Sequence, residues 1–240
     1  MNKVSRFKAV FFDAGGTLFT PFPSVGEIYS AVAARYGCSV SQEILEIQFR
    51  EEWIRRDRVP VDPTVMPQER QWWYDLVKDV FSKFGGMDDF ESFFHELYDI
   101  FAQPEYWRIF PEVEEVIKNL KGADLVLGIV SNWDSRLIPL CDKLGFGKFF
   151  DFILASGIVG SSKPHAGIFQ EALKRSGVEA HEVIHVGDSL KDDVEGSRRL
   201  GIMSVLLDRS GQKLYPVPTI TSLSELLPLV FPKVNEKFPL

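Results

Sequence analysis

The feature that most constrains the fold is a regular alternation of short apolar runs with amphipathic segments. The segments between the runs have helical periodicity, and several of them end at a glycine. Repeated strand and helix units of this length predict an α/β fold with a doubly wound, Rossmann-like parallel sheet. The apolar runs, which have the length of buried strands, lie at residues 9–12, 125–130, 152–155, 183–186 and 203–207.

Between the first apolar run and the alternating part, residues 19–105 predict a helical module. Its apolar side chains recur at helical spacing, and a proline-rich connection at Pro60, Pro63 and Pro67 interrupts the pattern before the last apolar set. We expect about four helices that begin at Phe19, inserted into a core formed by residues 1–18 and 106–240. The apolar sets are Ile28, Val32 and Tyr36, then Ile44, Ile47 and Ile54, then Trp72, Leu76, Val80 and Phe84.

Composition and charge limit the partners of the chain. The net charge of −7 argues against a general nucleic-acid surface or an anionic membrane surface. No apolar run approaches the roughly 18 residues of a membrane span, and the first residues lack a signal-peptide core. We therefore expect a cytoplasmic protein that acts on a small molecule, with no nucleic-acid or membrane partner. The oligomeric state stays open.

A single carboxylate, Asp13, follows the first apolar run directly. Gly15 and Gly16 then allow a sharp turn and a close approach of the backbone to a ligand. An aspartate at the end of a strand is often only a loop cap, so this pattern alone does not establish a reactive residue.

Polar residues of matching chemistry follow the other strands. The carboxyl ends of parallel strands lie side by side, so we expect these residues to form one site. Clustered carboxylates beside an anionic group favour Mg²⁺, and Lys163 with the Ser131 hydroxyl would orient the anion. Asp13 would attack a phosphoryl group. The residues are Asp13, Ser131, Asn132, Lys163, Asp188, Asp192 and Asp193.

In these residues the chain resembles the haloacid dehalogenase superfamily of hydrolases. The resemblance implies that the helical module is a cap that closes over the site. Two shorter segments, at 70–73 and 131–134, resemble more narrowly the branch named after a rhythmically expressed gene. The four motifs of the superfamily are matched, in order, by Asp13–Thr17, Ser131–Asn132, Lys163–Pro164 and Gly187–Gly196.

The resemblance also implies roles for individual residues. Asp13 is the nucleophile, Thr17 orients it, and the Gly15 carbonyl with the Asp188 carboxylate helps to bind Mg²⁺. Asp193, which lies after the fourth predicted strand, is expected to be a further metal ligand. Ser131 and Lys163 are expected to be catalytic residues. Substrate contacts are expected from Gly15, Gly16, Asn132 and His165, although a loop-capping role suits His165 equally well.

One position departs from the pattern of phosphatases in the superfamily. They usually carry a second aspartate two residues after the nucleophile, as general acid, where this chain has Gly15. Loss of general acid catalysis lowers rates by typically 10²–10⁴-fold. The main expectation is a magnesium-dependent phosphohydrolase of a small phosphate ester. The alternatives are a non-catalytic phosphate-binding module and a 2-haloacid dehalogenase, against which Asp188 argues.

Overall fold

The computed structural model describes residues 5–56, 67–85 and 87–232. Within these ranges the chain forms eight strands and ten α-helices. Strands β1 to β8 are Ala9–Phe12, Phe19–Pro21, Trp107–Ile109, Val126–Ser131, Phe152–Ala155, Val183–Gly187, Met203–Leu207 and Thr219–Ile220. Helices α1 to α10 are Val25–Arg35, Gln42–Arg55, Pro67–Phe81, Phe90–Ile100, Val113–Lys121, Leu137–Lys143, Ser156–Val159, Ala166–Ser176, Gly196–Arg198 and Leu226–Val230. Of the predicted connection, Pro60 and Pro63 lie outside the described residues, whereas Pro67 is the first residue of α3.

The main sheet has six parallel strands in the order β5-β4-β1-β6-β7-β8. Strand β1 lies between β4 and β6, where Phe12 pairs with Ile129 on one side and Val186 on the other. Asp13, the next residue, therefore lies beside the carboxyl ends of both neighbouring strands. The α/β fold predicted from the sequence is confirmed.

Both faces of the sheet are buried under helices. In β1, Val10 and Phe12 belong to a cluster that includes side chains of α5, α6 and α10. Ala9 and Phe11 belong to a second cluster, on the opposite face, with side chains of α8. Because neighbouring residues of a strand point to opposite faces, a strand covered on both sides reads as an unbroken apolar run.

Helices α1 to α4 form the helical module around a hydrophobic cluster of their own, which includes Tyr29, Phe81 and Phe93. The Tyr29 and Phe81 rings stack with centroids 5.9 Å apart, and Phe93 meets Phe81 edge to face at 4.9 Å. The predicted division of the chain into a core and a cap stays a prediction. Within the described ranges, no helix has the length and apolarity that crossing a membrane requires.

The start of the helical module differs from the prediction. Residues Phe19–Pro21 form strand β2 rather than helix, and β2 pairs antiparallel with β3. A strand of three residues that includes a proline has no usable periodicity, so the sequence could not reveal it. The small two-stranded sheet joins the segments that enter and leave the helical module.

Helix α2 is present as predicted, but the predicted apolar stripe does not lie in the core. The side chains of Ile44, Ile47 and Ile54 are 46%, 56% and 76% exposed. Leu45 and Glu52 are buried instead, and Glu52 forms an ion pair with Arg55. The periodicity identified the helix correctly but not the face that packs, because α2 has weak amphipathicity.

Candidate active site

The carboxylate of Asp13 lies at the centre of the site. Its backbone N–H donates to the Val186 carbonyl at 2.9 Å, which fixes the residue beside β6. Its Oδ1 atom accepts hydrogen bonds from Ser131 Oγ at 2.8 Å and from Lys163 Nζ at 2.6 Å. The structure therefore brings together the three residues that the sequence predicted as nucleophile, hydroxyl donor and cation.

Lys163 is held in place through its own backbone. The Asn132 side chain donates to the Lys163 carbonyl at 2.9 Å and accepts from the Lys163 N–H at 2.7 Å. The Lys163 ammonium bridges Asp13 and Asp193, with 2.6 Å to each carboxylate. Burial alone would lower the pKa of Lys163, but the two carboxylates outweigh it and raise the pKa above its usual value. Lys163 is therefore a fixed buried cation.

Asp193 is the most enclosed carboxylate of the site, with 1% exposure. Its Oδ2 accepts the Ser189 N–H at 3.0 Å, and its Oδ1 lies 2.9 Å from Nε2 of the buried His185. Burial alone raises the pKa of Asp193, but Lys163 and His185 outweigh it and hold the pKa well below its usual range. His185 is thus a hydrogen-bonded histidine of the core.

Residues 192–200, the segment between the apolar runs at 183–186 and 203–207, are expected from the sequence to form an α-helix around Asp193. Instead, Leu190–Glu195 forms a π-helix, followed by the short helix α9. A π-turn inserts one residue into the helical ladder and changes the direction of the side chains. A Cβ atom on Gly187 would lie 2.1 Å from Asp193 Cγ, so the carboxylate occupies space that only glycine leaves free.

Asp188 faces the same cluster from the end of β6. Gly16, with φ of +77°, leaves room for it, since a Cβ on Gly16 would lie 2.4 Å from Asp188 Oδ2. The Asp188 side chain is exposed to solvent through the cavity. Protein atoms nevertheless surround its carboxyl group closely and bury it in part. This burial, together with the charges of Asp13 and Asp193, raises the pKa of Asp188 to about 8.

The three carboxylates fit a divalent cation. Asp13, Asp188 and Asp193 each offer an oxygen within 4.8 Å of the others. Hard oxygen donors of this kind are the ligands that Mg²⁺ prefers, and a cation would offset the burial and the repulsion that together raise the pKa of Asp188. The Gly15 carbonyl, predicted as a fourth ligand, belongs to a residue that lines the same cavity.

The remaining predicted site residues differ in burial and in whether they line the cavity. Thr17 is buried, and its hydroxyl has no hydrogen-bond partner within the described ranges, so its orienting role stays a prediction. His165 is exposed at the N-terminus of α8 and is not part of the cavity lining. Its predicted contact with substrate therefore has no geometric support. Gly16 and Asn132 do line the cavity.

Trp133 is a site residue that the sequence reasoning missed. A Cβ on Gly15 would lie 3.0 Å from Trp133 Cζ3, so the indole fills the space that a side chain at position 15 would enter. The indole packs against Phe19 and Trp107, with centroid distances of 5.6 Å and 5.1 Å. Trp133 directly follows Ser131 and Asn132, and this adjacency was the available signal.

A cavity of about 450 Å³ lies between this cluster and the helical module. Its polar end contains Asp13, Lys163 and Asp188, and much of the remaining lining is aromatic. Cavities of this size hold small molecules, with a few polar groups that fix the orientation. Aromatic residues of the module that line it include Tyr29, Phe49, Trp53, Trp73, Phe94 and Phe101.

The family follows from comparison with known proteins. A family model described as haloacid dehalogenase-like hydrolase matches residues 7–201. The chain belongs to the haloacid dehalogenase-like hydrolases. Among them it is 34% identical over 226 residues to haloacid dehalogenase-like hydrolase domain-containing protein 3 of Danio rerio, with 90% of this chain and 93% of the relative covered.

Two further comparisons agree with this placement among the haloacid dehalogenase-like hydrolases. The rhythmically expressed gene 2 protein of Drosophila melanogaster is 26% identical over 221 residues, with 86% of this chain and 85% of that protein covered. The crystal structure of a HAD phosphatase from Thermococcus onnurineus superposes with a TM-score of 0.68 at 26% identity, covering 93% of this chain and 97% of that one. The predicted family and branch are confirmed.

Proposed function

We propose that the chain is a magnesium-dependent phosphohydrolase of a small phosphate ester that acts through an aspartyl-phosphate on Asp13. The observation that carries the proposal is the Asp13 carboxylate, held by Ser131 and Lys163 at the polar end of a cavity of about 450 Å³. The similarity to a HAD phosphatase supports the same class. In this proposal the helical module is a cap, the partner is the small ester, and the compartment is the cytoplasm.

The proposed reaction has two displacements at phosphorus. The Asp13 carboxylate attacks, the bond from phosphorus to the leaving oxygen breaks, and the electron pair stays on that oxygen. Water then attacks the phosphorus of the aspartyl-phosphate, which releases phosphate and restores the carboxylate. Lys163 and Ser131 donate to the phosphoryl oxygens, where preorganised donors stabilise the charge of the transition state.

Asp13, Asp188 and Asp193 would hold Mg²⁺ in this scheme. The bound ion would supply positive charge beside the phosphoryl group and reduce the repulsion between nucleophile and substrate. Asp193 also fixes the Lys163 ammonium through their 2.6 Å contact. The same carboxylate therefore supports both the cation site and the anion site.

The first test is Mg²⁺-dependent release of phosphate from acetyl phosphate and para-nitrophenyl phosphate. Both have leaving groups that need little protonation, so the absence of a general acid at Gly15 should slow their hydrolysis least. We expect Asp13→Asn to lower kcat by at least about a thousandfold, because the nucleophile is removed. Glu114→Gln, which changes an exposed carboxylate on α5, is the matched control and should retain activity.

Two outcomes would contradict the proposal. Activity that Asp13→Asn retains would assign the chemistry to another residue. Absence of phosphate release above the level of Asp13→Asn would exclude a phosphohydrolase for these esters. Halide release from 2-haloacids and binding of inorganic phosphate would then distinguish a dehalogenase from a non-catalytic binding module.

A further inference from the structure

The cavity has two chemically different ends. Asp13, Lys163 and Asp188 form the polar end, and rings of the helical module form the opposite wall. Trp73 and Phe94 belong to this wall. A substrate that fills the cavity therefore has an anionic end at Asp13 and an apolar, ring-sized body against the module.

Charged side chains also line the cavity, and the protein itself engages Arg136 and Glu46, whereas Arg50 contacts Glu46 only at 4.0 Å. Arg136 donates to both oxygens of Asp134 and to the Tyr98 carbonyl. The Glu46 carboxylate accepts the Gly26 N–H at 2.7 Å. A substrate with several hydroxyl groups, such as a sugar phosphate, would leave many of them without partners against the aromatic wall, which is costly.

The leaving group is constrained separately, by position 15. Gly15 carries no acid, and Trp133 occupies the space in which one would begin, with 3.0 Å from the indole to an added Cβ. Without a general acid the leaving oxygen departs as an anion, so hydrolysis depends steeply on the stability of that anion. Phenolates are far more stable anions than alkoxides.

Resting on the phosphohydrolase function proposed above, we infer that the substrate class is a phosphate monoester of a phenol or similarly acidic aromatic alcohol. The ring lies against the aromatic wall, and the phosphoryl group lies at Asp13. Attack by Asp13 forms the bond to phosphorus, and the bond from phosphorus to the aryl oxygen breaks. The electron pair leaves on the phenolate, which takes its proton from solvent.

Four esters test separately the requirement for an aromatic ring and the requirement for a good leaving group. Para-nitrophenyl phosphate has a ring and a good leaving group, whereas phenyl phosphate has the same ring and a poorer leaving group. Acetyl phosphate has a better leaving group than either but no ring, and glycerol phosphate has neither. We expect kcat/KM for para-nitrophenyl phosphate to exceed that for acetyl phosphate at least about tenfold and that for phenyl phosphate about a hundredfold. Glycerol phosphate should be slowest.

Two neighbouring tryptophans provide a matched pair of variants. Trp73 lines the cavity, whereas Trp72 packs edge to face against Trp73, 5.0 Å away, outside the lining. Trp73→Ala should lower the ratio of kcat/KM for para-nitrophenyl over acetyl phosphate by about tenfold. Trp72→Phe changes an aromatic side chain outside the lining while it keeps a ring against Trp73, so it should leave that ratio within about twofold. Circular dichroism checks that both variants fold.

The outcomes distinguish this inference from the function on which it rests. Release of phosphate from acetyl phosphate with no preference for the aryl ester would overturn the ring assignment and leave the phosphohydrolase intact. Equal rates for the two aryl esters would show that another group, such as Glu46 or Asp192, acts as an acid. Failure of all four esters would overturn both the function and the inference.

Discussion

At the scale of single residues, Gly15 and Trp133 form a complementary pair. Gly15 does not have a positive φ, so its backbone conformation suits residues with a side chain. The obstacle to a side chain is the indole of Trp133, 3.0 Å from an added Cβ. The missing acid is therefore a property of two positions that contact each other rather than of one glycine.

We expect Gly15→Asp alone to give no gain in hydrolysis of phenyl phosphate. The indole of Trp133 lies where the new side chain begins, so the carboxylate cannot take the position of a general acid. Gly15→Asp combined with Trp133→Ala should raise kcat/KM at least about tenfold over Gly15→Asp, since a general acid contributes typically 10²–10⁴-fold. The ratio of rates for para-nitrophenyl and phenyl phosphate should fall at the same time. Equal activity of the double and single variants would rule out Trp133 as the obstacle, and Trp133→Ala alone is the control.

Lys163 contributes to stability as well as to chemistry. It separates the buried carboxylates of Asp13 and Asp193, at 2.6 Å from each. Removing one partner of a buried charge network leaves uncompensated charge, so Lys163→Met should lower the free energy of unfolding by about 3 kcal/mol. Urea denaturation in the presence of a chelator measures this change. Lys118→Met, which removes an exposed cation on α5, should change it by less than about 1 kcal/mol.

At the scale of elements, the sequence predicted the strands of the main sheet well, because helices cover both faces and leave long apolar runs. It failed where an element is too short or too evenly polar to have a period. Strand β2 is only Phe19–Pro21, and α2 buries Leu45 while it exposes Ile44 and Ile47. Local pattern identifies a helix, but tertiary packing decides which face is buried.

The candidate site was predictable to the extent that it lies at strand ends. Asp13 and Asp188 each follow a strand and Ser131 is the last residue of one, so the parallel topology brings the three together. The contact of Trp133 with Gly15 was not predictable, since it depends on the side chains of two loops. The aromatic wall as a whole was not predictable, because the same rings fit the core of a helical module equally well.

The junction of α5, β4 and β5 gives a prediction about pH. The Asp151 carboxylate accepts the Leu127 N–H at 2.7 Å and the Lys121 ammonium at 2.9 Å. Burial alone would raise the pKa of Asp151, but these two contacts outweigh it and hold the pKa below its usual value. A lowered pKa stabilises the fold above the unfolded-state pKa of about 3.9, and this contribution is lost as pH falls through the folded-state pKa.

Asp151→Asn should therefore lower the free energy of unfolding at pH 7 by about 1 kcal/mol, a small value because the carboxylate side chain is 43% exposed. The difference from wild type should shrink below about pH 4. Denaturation with urea at a series of pH values measures both effects. Lys121→Met keeps the backbone hydrogen bond of Asp151 and should lower the free energy of unfolding less than Asp151→Asn does. A difference that does not change with pH would contradict the assignment.

At the scale of the whole molecule, the helical module and the sheet have separate hydrophobic clusters. Polar contacts connect the two parts beside the cavity. Arg136, at the start of α6, donates from Nη1 to the carbonyl of Tyr98 in α4 at 2.6 Å. Its guanidinium also lies 3.4 Å from the centroid of the Tyr98 ring, and Asp134 fixes its orientation.

Arg136→Lys keeps the positive charge but loses the planar fork that contacts Asp134 and Tyr98 together. A hydrogen bond from a charged donor contributes about 1.5–3 kcal/mol, so amide exchange in α4 should become at least about tenfold faster. Hydrogen exchange followed by mass spectrometry measures this change.

Lys143→Met, which removes an exposed contact of 3.1 Å to the Ala102 carbonyl, is the control and should have a smaller effect. Equal protection of α4 in Arg136→Lys and wild type would show that apolar packing alone holds the module over the sheet. Because the cavity lies at this junction, a loosened α4 should also raise KM for aryl phosphates more than it lowers kcat.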